Sequence, residues 1–86
     1  MKRIVFSAHA RAQLDLRGAT EAEARMAIQE GERLPAKQGR TAFRKNVPFR
    51  SEWKGSYYET KQVMPIAIEE NDTMIVVTVY VFYFGG

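Results

Sequence analysis

The chain is 86 residues long, with a formal net charge of +3 and 45% hydrophobic residues. This length fits a single domain over residues 1–86, and this composition excludes a globally disordered chain. The sequence has no cysteine, which excludes disulfides and thiolate zinc sites and is typical of a reducing cytoplasm. The longest apolar stretch, residues 75–84, is about half of a membrane span, so we expect a cytoplasmic protein without membrane contact.

The start of the chain predicts a short strand and a first helix. Residues 2–6 are a β-type run. Ser7 is suited to be the N-cap of a helix over residues 8–17, because its hydroxyl can accept a hydrogen bond from a free backbone N–H of the first turn. Gly18 readily adopts the left-handed conformation that commonly ends a helix, so the first helix is expected to stop there.

A second helix, over residues 21–31, has the clearest local signal in the sequence. Thr20 and Glu23 are spaced as a capping box, in which hydroxyl and carboxylate each accept a hydrogen bond from the backbone at the helix start. Gly31 is predicted to close this helix. The short connection after Gly18 predicts that the two helices form an αα-hairpin.

The second half of the chain predicts an antiparallel sheet. Residues 33–39, which include a proline and a glycine, are expected to be a linker. Strands are expected over 41–50, 57–69 and 73–84, and the last is apolar on both faces, which is typical of a central strand. Helices that precede these strands indicate an α+β fold. Six residues are expected in the core: Leu14, Ile28, Ile66, Ile75, Val77 and Val79.

Two short segments resemble a known family. Residues 6–10, which read FSAHA, followed by Arg17-Gly18 and the capped second helix, are similar to the opening of small bacterial domains of unknown function grouped with the RelE/ParE-like toxins. Residues 75–80 are similar to that family's closing strand. The resemblance implies one RelE-like domain over residues 1–86, with two N-terminal helices packed on a curled antiparallel sheet. It also implies relatives that bind or cut RNA, often messenger on the ribosome, and that pair with an antitoxin protein.

Three residues are candidates for metal-free RNA cleavage, which needs a base, an acid and cations for the phosphate. His9 is the candidate base, because histidine is the side-chain type that titrates near neutral pH. Arg17 could face the same cleft, and Tyr80 could present its hydroxyl to a phosphate. Each has a structural alternative: His9 orders the helix start, Arg17 stabilises the negative end of the helix dipole, and Tyr80 is an ordinary sheet residue.

A basic segment between residues 33 and 54 is the candidate RNA-binding surface. It holds seven basic residues against one acidic residue, Glu52. Cations bind phosphates and aromatic rings stack on bases, so a mixture of the two is typical of RNA contacts. The alternative is ordinary strand alternation, in which the rings face the core and the cations face water. Four residues are the expected contacts: Arg44, Lys45, Arg50 and Trp53.

The sequence shows no motif for a metal site, a nucleotide-binding loop or a serine-hydrolase elbow, so we expect no cofactor. Two function classes stay open. One is a toxin-like protein that binds RNA or the ribosome, with metal-independent endoribonuclease activity left undecided. The other is a non-catalytic interaction module in which an exposed strand edge at residues 63–68 pairs with a partner protein or, as a homodimer, with a second copy.

Overall fold

The computed structural model describes residues 2–86, which form two helices and one five-stranded sheet. The elements follow one another in this order: β1 (Arg3–Phe6), α1 (Ala8–Arg17), α2 (Glu21–Glu30), β2 (Glu32–Pro35), β3 (Thr41–Trp53), β4 (Ser56–Glu70) and β5 (Thr73–Phe84). A short 3₁₀ turn, Lys37–Gly39, lies between β2 and β3. The strand order in the sheet is β1-β5-β4-β3-β2. No helix within residues 2–86 is long and apolar enough to cross a membrane.

The sheet is mixed, so the expected RelE-like fold, two N-terminal helices on a curled antiparallel sheet, is wrong. β1 precedes both helices and pairs in parallel with β5, from Arg3 opposite Thr73 to Phe6 opposite Val76. The other neighbouring strands are antiparallel, and three of the four residues of β2 lie in the segment predicted as a linker, residues 33–39. The alternation of side chains in a strand indicates its buried face but carries no information about its partner or direction. The parallel pairing of the first and last strands could therefore not be inferred locally.

Both helices begin where their capping signals predicted, and each is followed by the glycine that was predicted to close it, although α2 is one residue shorter than expected. Ser7 caps α1, and its side chain accepts a hydrogen bond from the backbone N–H of Ala10 at 3.0 Å. Gly18 ends α1 in the left-handed conformation, with a φ of 77°. Thr20 and Glu23 form the complete capping box of α2. These contacts are local in the chain, so they do not depend on how the strands are arranged.

The two helices pack on one side of the sheet, which we call the helix-covered face. The alanines of α1 and α2 have little side-chain volume, so both helices approach the strands closely and the core between them is dense. The side chains that are fully buried in this core are Ala10 and Ala24 from the helices and Val63, Ala67, Val76 and Val79 from the strands.

The predicted core is correct for three of its six residues. Leu14, Ile66 and Val79 are buried, whereas Ile28, Ile75 and Val77 are only half-buried. Ile75 points away from the helices, because the residues on either side of it are buried beneath them. Val77 is the extra residue of a bulge in β5, because Ile66 and Ala67 of β4 pair with Thr78 and Val76 on its two sides.

β4 is the middle strand of the sheet, so the exposed edge expected at residues 63–68 is not an edge. β3 and β5 pair with β4 on its two sides. Within the part of the chain that the structure describes, β5 has strands on both sides only over Thr73–Val76, where β1 pairs with it. Beyond this segment, residues at the two ends of α1 bond to the backbone of β5. The hydroxyl of Ser7, the N-cap of α1, donates to the carbonyl of Val77 at 3.3 Å, and Arg17 donates to that of Val79 at 3.0 Å.

A buried lysine ties the connection between the helices to the middle of the sheet. Lys61 of β4 is 6% exposed, and its amine donates to the carbonyl of Gly18 at 3.1 Å and to the carboxylate of Glu23 at 2.9 Å. The Tyr83 hydroxyl donates to the carbonyl of Arg17 at 2.7 Å. Burial raises the pKa of Tyr83, and the negative charge of Glu23 raises it further. These bonds satisfy carbonyls at the end of α1 and hold both helices against the strands.

Candidate functional site

The side of the sheet opposite the helices, which we call the open face, carries a column of exposed aromatic rings. Because side chains of a strand alternate between faces, and Val79 is buried under the helices, every second residue from position 80 points to the open face. These residues are Tyr80, Phe82 and Phe84, which are 41%, 45% and 43% exposed. The rings of Tyr80 and Phe82 are nearly parallel, with centroids 6.5 Å apart and an angle of 19° between them. We call these three residues the aromatic column.

A row of polar side chains borders the aromatic column on β4 and β3. In the antiparallel pairing, Phe82 lies opposite Gln62 and Phe84 lies opposite Thr60. Gln62 in turn lies opposite Asn46, and its amide donates to the Asn46 side-chain oxygen at 2.8 Å. Amide side chains carry both donors and acceptors. This row can therefore form hydrogen bonds with the polar edge of a flat ligand that stacks on the column.

One cation contacts the aromatic column directly. Arg17, the last residue of α1, reaches past the side of β5 that lacks a strand, and its guanidinium carbon lies 5.1 Å from the centroid of the Tyr80 ring. The same guanidinium is held in place by its hydrogen bond to the carbonyl of Val79. A guanidinium over a ring is itself favourable, and its charge attracts anions to this end of the column.

A cavity of about 450 Å³ lies at the Tyr80 end of the column. The turn over residues 36–40 forms one of its walls, and Gln38 and Gly39 in this turn have positive φ values of 61° and 71°. Neither basic residue of the cavity pairs with a carboxylate among residues 2–86. The cavity thus combines apolar walls with two positive charges. Its main apolar residues are Leu34, Met64, Ile66 and Tyr80, and its basic residues are Lys37 and Arg40.

The structure brings together two of the three candidate catalytic residues. Arg17 and Tyr80 are in contact. His9 is exposed near the start of α1, eight residues before Arg17 at its end. The two residues are therefore about 12 Å apart along the helix axis, at a rise of about 1.5 Å per residue. His9 therefore does not lie beside the Arg17 guanidinium and the Tyr80 hydroxyl, where a catalytic base would have to be.

The first two predicted RNA contacts lie on opposite faces of the sheet. Arg44 lines a notch on the open face together with Asn46 and Gln62, and it forms an ion pair with Glu32 of the neighbouring strand. Lys45 points to the helix-covered face, and its amine lies 3.6 Å from the carboxylate of Glu30 at the end of α2. Successive residues of a strand point to opposite faces, so the structure does not bring these two cations together.

The other two predicted RNA contacts are also engaged within the protein. Arg50 lies in a bulge of β3, with a φ of 47°, and its guanidinium is 3.8 Å from the carboxylate of Glu59. Trp53 stacks on Tyr83, with ring centroids 5.1 Å apart and an angle of 18° between the rings. The expected surface over residues 33–54 is therefore not continuous.

Phe82, Phe84 and Gln62 are candidate contacts that the sequence analysis missed. Every residue from Val79 to Phe84 is β-branched or aromatic, so the pattern does not separate a buried face from an exposed one. The order of the helices and strands along the chain does carry a usable signal. Two helices joined as a hairpin cover only one face of a sheet, so the other face of a long apolar strand remains exposed.

Comparison of the chain with protein-family models, curated proteins and solved structures finds no match. Within residues 2–86 there is no group of three or more His, Asp or Glu side chains that could hold a metal ion. The function of the open face must therefore be inferred from its own chemistry: three exposed rings, a row of amides, and adjacent cations.

Proposed function

We propose that this protein binds single-stranded RNA on the open face of its sheet. The observation that carries the proposal is the aromatic column, in which three neighbouring rings are each more than 40% exposed. Exposed apolar surface is unfavourable in water by roughly 25 cal/mol per Å², so a ligand that covers the rings is favoured. Nucleobases are flat and apolar on their faces, and each base stacked on an aromatic side chain contributes about 1–3 kcal/mol.

The spacing of the column supports binding of successive bases. Alternate residues of a strand are about 6.6 Å apart, so each ring can receive a separate base from a single strand whose bases are unstacked. Open sheets that stack two or three bases on aromatic side chains are a known mode of RNA recognition. The amides of Gln62 and Asn46 lie beside the column, where they can bind the polar edges of stacked bases.

The charges next to the column support an anionic ligand over an apolar one. Arg17 contacts the column, and Lys37 and Arg40 line the cavity at its end. A partner with a purely apolar surface would gain nothing from these cations and would have to desolvate them. A nucleic-acid strand offers both the flat apolar faces and the phosphates that this arrangement fits.

The proposal assigns binding and no cleavage step, because His9 lies at the opposite end of α1 from Arg17. It includes a cytoplasmic location, where messenger RNA and ribosomes are available as partners. An antitoxin-type protein that covered the aromatic column would compete with RNA for the same face, so RNA displacement is the direct way to detect such a partner.

Fluorescence anisotropy with labelled RNA of about eight nucleotides tests the proposal. Phe82→Ala and Phe84→Ala should each weaken binding by about 5- to 150-fold, the equivalent of one lost stacked base. The matched control is Tyr57→Ala, which removes an aromatic ring that is 48% exposed and lies outside the column. Arg17→Ala should reduce the dependence of log K on log salt by about 0.7, measured between about 50 and about 200 mM salt.

Two results would count against this proposal in different ways. Wild-type protein without salt-dependent affinity for RNA would reject RNA as the ligand. Equal losses in Phe82→Ala and Tyr57→Ala would place the binding surface elsewhere. Circular dichroism of each variant shows whether a loss of binding is caused by a loss of folding.

A second candidate function is pairing of the open side of β5 with a strand of another chain. From position 80 onward this side has no strand partner among residues 2–86 and carries neither a charge nor a proline. The open edge of β3, in contrast, contains Lys45, Pro48 and a bulge, which discourage strand addition. The N–H of Val81 lies on the open side, because alternate residues share a side and the Val79 carbonyl bonds to α1 there.

Sedimentation velocity without RNA separates this second candidate from RNA binding. Strand addition between two copies predicts a concentration-dependent dimer that persists in Phe82→Ala and is lost in Val81→Pro, which removes the edge donor. A monomer at all concentrations would remove self-pairing and leave RNA binding as the single proposal.

A further inference from the structure

We infer that the cavity at the Tyr80 end of the aromatic column binds the terminal nucleotide of the RNA strand, with its terminal phosphate on Lys37 and Arg40. This inference rests on the proposed function and adds a preference for a phosphorylated strand end. The cavity volume of about 450 Å³ is within the range of sites for small ligands, about 300–1000 Å³.

The cavity continues the aromatic column along the sheet. Tyr80 belongs to both, since its ring is the last of the column and also forms part of the cavity wall. A strand whose bases stack on Phe84, Phe82 and Tyr80 in turn therefore reaches the cavity with its next nucleotide. Met64, which lies opposite Tyr80 in the sheet, and Ile66 provide an apolar surface for that base.

The charge at the cavity fits a terminal phosphate better than an internal one. Eight of the thirteen lysines and arginines form ion pairs with carboxylates, whereas Lys37 and Arg40 have no such partner among residues 2–86. A terminal phosphate monoester carries a charge of about −1.5 to −2 at neutral pH, whereas an internal phosphodiester carries a single charge. Two cations beside one cavity match the higher charge.

The test compares three versions of one RNA tetramer: hydroxyl groups at both ends, a phosphate at the 5′ end, and a phosphate at the 3′ end. Each is titrated into the wild type, the double variant Lys37→Ala/Arg40→Ala, and the control Lys54→Ala. Lys54 is a matched control because it also has no carboxylate partner within residues 2–86 but lies over the ring of Trp53, in the connection between β3 and β4. We expect a phosphate at one end to raise wild-type affinity at least about tenfold, as for a charged hydrogen bond.

The double variant should lose this gain, and Lys54→Ala should keep it. Equal affinity of the wild type for all three tetramers would overturn the inference alone, because binding to the column would still be observed. Absence of binding by every tetramer would overturn the proposed function and the inference with it. A gain that persists in the double variant would overturn the assignment of the phosphate to Lys37 and Arg40.

Methyl NMR of the methionines tests the position of the terminal nucleotide. The Met64 methyl lines the cavity, whereas Met26 is exposed on α2 and serves as an internal control. Of the two phosphorylated tetramers, the one that binds more tightly should shift the Met64 signal and leave the Met26 signal unchanged. A bound tetramer that leaves Met64 unshifted would overturn the placement in the cavity.

Discussion

The two faces of β5 differ in what lies above them, although both are built from apolar residues. On the helix-covered face, Val76 and Val79 are fully buried. On the open face, Tyr80 and Phe82 are more than 40% exposed. The same strand therefore contributes to the core on one side and presents rings to solvent on the other.

This difference shows that the apolar character of a residue does not decide its role in a small domain. Two helices supply enough surface to cover one face of the sheet, and the aromatic rings on the other face have no cover within residues 2–86. Substitutions on the helix-covered face should therefore change stability, and substitutions on the open face should change binding.

The largest effect is expected from a charge placed on the helix-covered face. Val63→Asp should unfold the protein, because an unpaired carboxylate in the core costs several kcal/mol and the total stability of such a domain is about 5–15 kcal/mol. Phe82→Asp, with the same new charge on the open face, should remain folded. Circular dichroism and urea denaturation measure both. Val77→Asp should fall between them, because Val77 is half-buried and lies in the bulge of β5.

A smaller loss of stability is expected when the buried lysine is removed. Lys61→Met should lower the free energy of unfolding by about 2–4 kcal/mol, since it leaves Glu23 and the carbonyl of Gly18 without their donor. Glu23 keeps some access to water, which limits the loss. The control is Arg44→Met, whose exposed pair with Glu32 is worth about 0–1 kcal/mol. Equal losses in the two variants, measured by urea denaturation, would contradict the role of Lys61.

Substitutions in the aromatic column should leave stability almost unchanged. Phe82→Ser should alter the free energy of unfolding by less than about 1 kcal/mol, because it removes an exposed ring and one aromatic contact, with Tyr80. The measurement is the urea midpoint of the variant against that of the wild type. A loss as large as that of Lys61→Met would mean that the open face contributes to the core.

The smallest effect is expected at alkaline pH, where ionisation of Tyr83 should lower the free energy of unfolding. Its pKa is raised above the ordinary value of 10.0, mainly by burial, so the folded state holds the phenol proton more tightly than the unfolded state. The resulting stabilisation is fully present below pH 10.0 and is lost as the pH rises through the folded pKa. Tyr83→Phe should be less stable at neutral pH, because it loses the hydrogen bond to Arg17, but should show a shallower decline at alkaline pH. Parallel declines in the two proteins would contradict this assignment.

The ends of both helices could be predicted from the sequence because their causes are local. Ser7, Gly18 and the pair Thr20–Glu23 act within a few residues of the backbone groups that they satisfy, so their spacing in the sequence is also their spacing in space. The position of Arg17 as the last residue of α1 could be predicted for the same reason. Its contact with Tyr80, more than sixty residues away in the chain, could not be inferred from spacing.

The candidate site could be predicted in part. Tyr80 and Arg17 belong to it, whereas Arg44, Lys45, Arg50 and Trp53 are distributed over both faces and are engaged by partners within the protein. A count of cations in a segment does not show which of them have carboxylate neighbours. Those neighbours, Glu30, Glu32 and Glu59, come from other elements and reach the cations only when the sheet is formed.

By itself, the sequence determined the positions of the helices, the apolar strands and the residue types that are available for binding. The tertiary structure decided that β1 pairs in parallel with β5, that β4 is central, and that the aromatic rings on one face of β5 are exposed. The physical reason is that strand pairing joins backbone groups from distant parts of the chain, and these groups are the same in every residue except proline. Which strand pairs with which is therefore set by the packing of the whole domain.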